Sequence, residues 1–280
     1  MSYGFAGAGA PDYFPCRYGM SRSVFRGPRR DLSGAYLAMI GGSQTFGKYV
    51  TAPFPTLVEE AMGVPVANLG GLNAGPEFYL ADPETLAIAR GARLAVVQIT
   101  GAEALSNRYY TVHSRRNDRF LGATPALRAL YPEVEFTDIH FTRHLLLVLQ
   151  AAGVDRFAKV VAALKSTWID RMRTLLSHLP RQRILLWMAD DPVPDNATQL
   201  DPGTPFAGPG PLLVDGAMVA ALLPEVSTFL QVVPSAAARA EGVRRMQFPE
   251  SAQHSAHCLP GATAHREAAE ALIPAILRVV

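Results

Sequence analysis

Residues 35–43, AYLAMIGGS, set a short apolar run directly against two glycines and a serine. A run that is apolar at every position leaves no side for solvent, so it predicts a strand buried on both faces, as in a parallel sheet. Gly41 and Gly42 then permit a sharp turn and leave Ser43 at the carboxyl end of that strand. The same signature recurs along the chain. VPVANL at 64–69 ends in Gly70-Gly71, RLAVVQI at 93–99 ends in Thr100-Gly101, RILLWM at 183–188 runs into a turn at Asp190, and 228–233 supplies a fifth run. Helical spacing fills the intervals: 55–62 stopped by Gly63, 83–89 between an Asp82 cap and Gly91, 140–151, 156–179, about 215–222 and 263 to about 277. Strands alternating with helices predict an α/β fold of three layers, with a doubly wound, parallel five-stranded sheet.

Two segments fall outside that alternation. Residues 1–33 are rich in Gly, Pro, Tyr and Arg without strand or helix period and are expected to form an irregular N-terminal arm, a plausible element for swapping between copies in a homo-oligomer. Residues 34–280 are then expected to be one domain, carrying a polar insertion at about 102–137 that is irregular apart from a short helix near 125–130.

Composition narrows the functional classes. The chain of 280 residues is 49% hydrophobic and 18% charged, a globular balance with material for a large core. Its 26 basic residues against 24 acidic ones give a net charge of +2, too small to suggest a nucleic-acid partner. No apolar run reaches the roughly 18 to 20 residues of a membrane span, and the start lacks the pattern of an export signal, so a cytoplasmic location is expected. The two cysteines, Cys16 and Cys258, have no metal-knuckle spacing and read as reduced thiols.

In a sheet of this kind ligands sit beyond the carboxyl ends of the strands, near the point where strand order reverses, so Ser43, Gly70, Asn73, Gly101 and the Asp190 turn are expected to converge. A serine there, at the start of a following helix, suits a nucleophile or an anion site.

On these residues the chain resembles the SGNH (GDSL-like) hydrolase superfamily, itself flavodoxin-like in layout. Gly41-Gly42-Ser43 stands where that superfamily has Gly-Asp-Ser, and Gly70 in Asn68-Leu69-Gly70 stands at its oxyanion-hole glycine. Gly101-Ala102-Glu103-Ala104 stands at its Gly-x-Asn-Asp block, with Glu103 in place of the oxyanion-hole asparagine; Asn73 or Asn107 are candidates to substitute. The superfamily's Asp-x-x-His block is displaced: its histidine position falls on Leu259, with His257 two residues and His254 five residues earlier. The resemblance implies a serine-dependent esterase or acyltransferase acting on a small acylated or anionic substrate, such as a carbohydrate. In it Ser43 attacks, His257 or His254 takes the proton, Asp190, Asp191 or Glu250 orients the histidine, and the amides of Ser43 and Gly70 hold the oxyanion. No metal or organic cofactor is required. The chain is also similar to an uncharacterised family of bacterial, mainly alphaproteobacterial, proteins, which implies a shared fold and no particular activity.

The insertion carries a second constellation, Arg108, Tyr109, Tyr110, His113, Arg115, Arg116 and Arg119, able to hold an anion at the mouth of the crevice or to sit solvated. The alternative function is therefore a catalytically silent domain binding an anionic ligand or a protein partner through Arg108, Arg115 and Arg116. Transferase chemistry on phosphate or sulfate is a third reading. His140 and His144 at i, i+4 spacing lack the HExxH glutamate and a third ligand, so capping and packing is expected of them rather than zinc.

Overall fold

Strands form where the apolar runs predict them. In the computed structural model, which describes residues 9–201 and 210–280, the order is β1 (Leu37–Ile40), β2 (Val66–Asn68), β3 (Leu94–Gln98), β4 (Tyr110–His113), β5 (Arg116–Ala123), β6 (Arg183–Met188) and β7 (Thr228–Val232). Five of them make one sheet, β2-β1-β3-β6-β7, and every pairing in it is parallel. This is the flavodoxin-like order, in which the chain turns back between β1 and β3. Alternation across the pleat gives two cores. Ala38, Ile40, Ala95 and Val97 point to one side, and Leu37, Met39, Leu94 and Val96 to the other.

The helices are α1 (Ser43–Phe46), α2 (Phe54–Met62), α3 (Pro76–Leu80), α4 (Pro83–Gly91), α5 (Pro125–Leu130), α6 (Thr142–Ala152), α7 (Val154–Ser177), α8 (Gly216–Ala220), α9 (Ala236–Glu241), α10 (Gln253–Ala256) and α11 (Ala262–Val279). In α7, Phe157, Val160, Val161, Leu164, Trp168, Met172, Leu175 and Leu176 are buried, the three-and-four spacing of one apolar face. Each such side chain contributes roughly 1.5–3 kcal/mol by leaving water. That face and α3, α4 and α6 cover one side of the sheet, while Phe54 and Val58 of α2 and Leu272 and Ile276 of α11 cover the other. The loops that leave β1 and β3 thus run to opposite faces and open a crevice between them.

Two expectations are corrected. The insertion is not irregular: β4 and β5 form an antiparallel hairpin with a register irregularity at Val112. Its strands are polar, with few apolar positions to mark a period. Helix α6 starts at Thr142, so His140 lies before it and does not share a helix face with His144; the His140 carbonyl accepts from Phe120 N at 3.1 Å. The stretch after β7 holds α9, whose cap is the Ser235 hydroxyl accepting from Ala238 N.

The described part of the N-terminal arm packs on its own chain. Cys16 and Phe25 exchange backbone hydrogen bonds at 3.0 and 2.9 Å, and Phe25 sits edge-on to Phe78. Arg26 is buried and donates to the carbonyls of Gly47 and Thr51, both at 2.6 Å. The first eight residues of the arm, and 202–209 of the loop after β6, lie outside the described residues. Among the described residues no helix is long and apolar enough to cross a membrane. Both cysteines are free thiols.

Candidate functional site at the carboxyl edge of the sheet

The turn that carries Ser43 is fixed from three sides. Gln98, at the end of the neighbouring strand β3, uses its side-chain oxygen to accept from Gly42 N (3.1 Å), Thr45 N (3.3 Å) and the Thr45 hydroxyl (2.7 Å). The Tyr79 hydroxyl of α3 accepts from Gly41 N at 2.9 Å and lies 2.6 Å from the Gly41 carbonyl. Asn68 donates to the Thr45 carbonyl at 3.0 Å. Polar groups of a buried turn therefore find partners on β2, β3 and α3, and the turn is rigid for that reason.

Ser43 is the first residue of α1 and only 8% exposed. Its hydroxyl meets Asn73 twice, accepting from Asn73 N at 3.0 Å and donating to Asn73 Oδ1 at 3.2 Å. Asn73 holds a left-handed backbone, φ +55°, a conformation asparagine tolerates better than most residues. Its side-chain amide donates to Asp118 Oδ2 at 3.0 Å. Asp118 is on β5, so the hairpin reaches over the crevice. The preceding residue, Asn117, is fully buried and accepts from Gly75 N (2.7 Å) and Phe78 N (3.0 Å), tying the hairpin to the loop that carries Asn73.

Two carboxyl groups line this space with unsatisfied oxygens. Glu103 Oε2 and Asp118 Oδ1 are each closed off from solvent without a hydrogen-bond partner; Arg116 Nε stands 3.8 Å from the latter. Burial pushes the Glu103 carboxyl up to about 7, against the attraction of Arg143, and raises Asp118 against Arg116 and Arg119. Arg143, on the first turn of α6, has its own value lowered by burial and faces Glu103, Asp201 and Cys258. Burial raises the Cys258 thiol, with Arg143 opposing and Asp190 adding to the shift.

The histidine loop reaches the same edge by another route. Tyr49, just beyond α1, pairs its hydroxyl with Ser255 at 2.7 Å and accepts from Gln247 N through its carbonyl at 2.8 Å. Tyr49, Val50, Met246 and Ala256 form a small separate core beneath that contact. His254 and His257 are exposed on and just after α10. The Ser43 hydroxyl bonds to Asn73 and to neither histidine.

The remaining expected site residues divide in the same way. Gly70 is a close-approach glycine, since a Cβ there would come 2.3 Å from Phe46 N; its amide is taken by Asn68 Oδ1 at 3.0 Å. Gly101 is crowded by the Glu103 carboxylate, 2.0 Å from where a Cβ would lie. Asn107 caps its own turn, accepting from Tyr109 N and Tyr110 N. Arg108 is exposed over the Tyr109 ring, and Arg115 and Arg116 are exposed at the hairpin turn. Asp190, Asp191 and Glu250 are exposed, and the Asp191 carbonyl accepts from Trp187 Nε1 at 2.8 Å. Gln98, Asp118 and Arg143 carry the site without any motif to announce them. Only their places were legible: the end of β3, the insertion, and the start of a helix. Among the described residues no group of three His, Cys, Asp or Glu side chains could hold a metal ion.

A search of the curated proteins finds no match. A crystal structure of a protein from Lactobacillus plantarum is similar over 88% of this chain and 98% of that one, at 16% identity and a TM-score of 0.37. A family model described as "Domain of unknown function (DUF6473)" matches residues 1–280.

Proposed function

We propose that this chain, which belongs to the DUF6473 family, performs serine-dependent acyl transfer, as an esterase or acyltransferase, on a small polar substrate in the crevice at Ser43. The observation that carries the proposal is the placement of the Ser43 hydroxyl. It lies at the carboxyl end of β1, where the sheet order reverses, in a turn fixed by Gln98 and Tyr79, and its oxygen accepts an amide proton from Asn73. Attack by that oxygen on an acyl carbonyl passes the hydroxyl proton to a base; the substrate's acyl–oxygen bond then breaks, its alcohol leaves with that proton, and water or an acceptor alcohol removes the acyl group from Ser43. Two groups on this edge have suitable chemistry: Glu103, whose carboxyl titrates near neutrality, and His257 on the loop docked beside α1. The Ser43 amide opens α1 and has no acceptor within the helix, so it supplies an oxyanion donor. Gly70 does not share that task while its amide is held by Asn68.

A second reading is favoured by one contact. The Ser43 proton points at Asn73 Oδ1, an amide oxygen of negligible basicity, as in a domain that binds a ligand without reacting with it. There Arg108, Arg115 and Arg116 would hold an anionic ligand at the crevice mouth. Hydrolysis of a short-chain p-nitrophenyl ester separates the two. Turnover that is lost in Ser43→Ala and reduced in His257→Ala or Glu103→Gln supports acyl transfer; identical rates for wild type and Ser43→Ala support binding alone.

A further inference from the structure

The hairpin contributes more than a cover to the crevice. An asparagine side chain has one accepting and one donating end, and the group beyond it decides which end faces which way. Asp118, when ionised, only accepts. Its Oδ2, 3.0 Å from Asn73 Nδ2, therefore holds the amide so that Oδ1 faces Ser43. The Ser43 proton is drawn onto that oxygen, and Asn73 N occupies one lone pair of the hydroxyl at 3.0 Å. One lone pair then remains, in a fixed direction. The chain Asp118–Asn73–Ser43 thus sets the rotamer of the serine from a strand 75 positions away in sequence. Asn117 secures the same junction through Gly75 N and Phe78 N.

We propose that Asp118 is a positioning residue for Ser43, acting through Asn73. This rests on Ser43 being the reacting group. The role is one of geometry alone: the contacts fix the Ser43 oxygen, its proton turns from Asn73 Oδ1 to the base as the oxygen attacks, Asn73 passes no proton, and Asp118 touches neither the hydroxyl nor its acyl partner.

The test is the rate at which a fluorophosphonate probe modifies Ser43 in the full chain, combined with NMR signals of the Asn73 side-chain amide. Asp118→Ala is expected to slow labelling about tenfold, since small misplacements of a reacting group carry rate losses of this order or more. Asp118→Asn keeps an acceptor oxygen toward Asn73 and is expected to restore labelling to within about threefold of wild type. Asn73→Gly keeps the positive φ and the backbone amide while deleting the side chain, and should slow labelling as much as Asp118→Ala, with no further loss when the two are combined. Equal labelling in wild type, Asp118→Ala and Asn73→Gly overturns the proposal, and so do fully additive losses in the double variant. If wild type is not labelled at all, the acyl-transfer reading fails while the positioning contact is still tested. The Asn73 amide signals must move upfield in Asp118→Ala and stay near their wild-type position in Asp118→Asn, and signals indifferent to both substitutions sink the contact itself. Should Asp118→Ala not fold, Asn73→Gly and Asp118→Asn carry the same comparison.

Discussion

His265, fully buried in the α2–α11 layer, and Glu103, half-buried at the carboxyl edge of the sheet with one oxygen closed off, are both ionisable groups held by this fold. Both are driven toward their neutral forms by burial, His265 down to about 3 and Glu103 up to about 7. Their surroundings differ in completeness. The His265 ring stacks on Phe54, and its Nδ1 accepts from Phe54 N at 3.2 Å, so the accepting nitrogen of the neutral imidazole has a partner where it stands. Glu103 leaves Oε2 closed off and unpartnered beside Asp118 and Arg143. A buried polar group that is satisfied serves the fold; one left unsatisfied is a cost that a site bears when something else is to meet it.

The two groups should tilt stability in opposite directions with pH. His265 binds its proton more weakly in the folded chain than in the unfolded one. Its contribution is therefore complete above pH 6.5 and lost as pH falls through 6.5 toward 3, an effect on the order of 4 kcal/mol. His265→Asn keeps an acceptor for Phe54 N, and its urea midpoint should fall much less over that window. An equally steep fall would place the acid sensitivity elsewhere.

Glu103 binds its proton more tightly when folded, so its contribution is present below pH 4.5 and lost as pH rises through about 7, at about 2–3 kcal/mol. Glu103→Gln should remove that decline and leave the variant more stable than wild type at pH 8. A variant less stable than wild type at pH 8 would mean that the carboxylate has a partner it depends on. Next in size, Gln98→Leu deprives Gly42 N, Thr45 N and the Thr45 hydroxyl of one shared acceptor, and should destabilise by about 1–3 kcal/mol. It should also slow probe attachment at Ser43; a normal rate would show that the turn keeps its shape without Gln98. Smallest of all, Arg115→Ala removes an exposed side chain at the hairpin turn and should change stability by no more than about 0.5 kcal/mol. A larger loss would make the arginine loop a structural element rather than a rim of the crevice.

The same contrast explains what was legible in sequence. The layer around His265 is built from signals that sequence displays well: apolar runs ending at glycine for β1, β2 and β3, and the apolar stripe of α11. The carboxyl edge is built from long-range polar contacts. Ser43 was legible from Gly41-Gly42 and the end of a strand, and Asn73 from the Gly-rich turn after β2. Asp118 was not, because β5 reads RNDRFLGA, with Phe120 as its one buried apolar residue and no Asn-Gly turn to mark the hairpin. Nor was the engagement of the Gly70 amide by Asn68, two residues away, which depends on the side chain turning back onto its own loop.

Whether Ser43 is the activated hydroxyl that acyl transfer requires is read out by intact-mass spectrometry after exposure to a fluorophosphonate, wild type beside Ser43→Ala. One adduct on wild type and none on Ser43→Ala is the predicted result. An unmodified wild type, or an adduct that persists in Ser43→Ala, would contradict the claim and leave the crevice as a binding site.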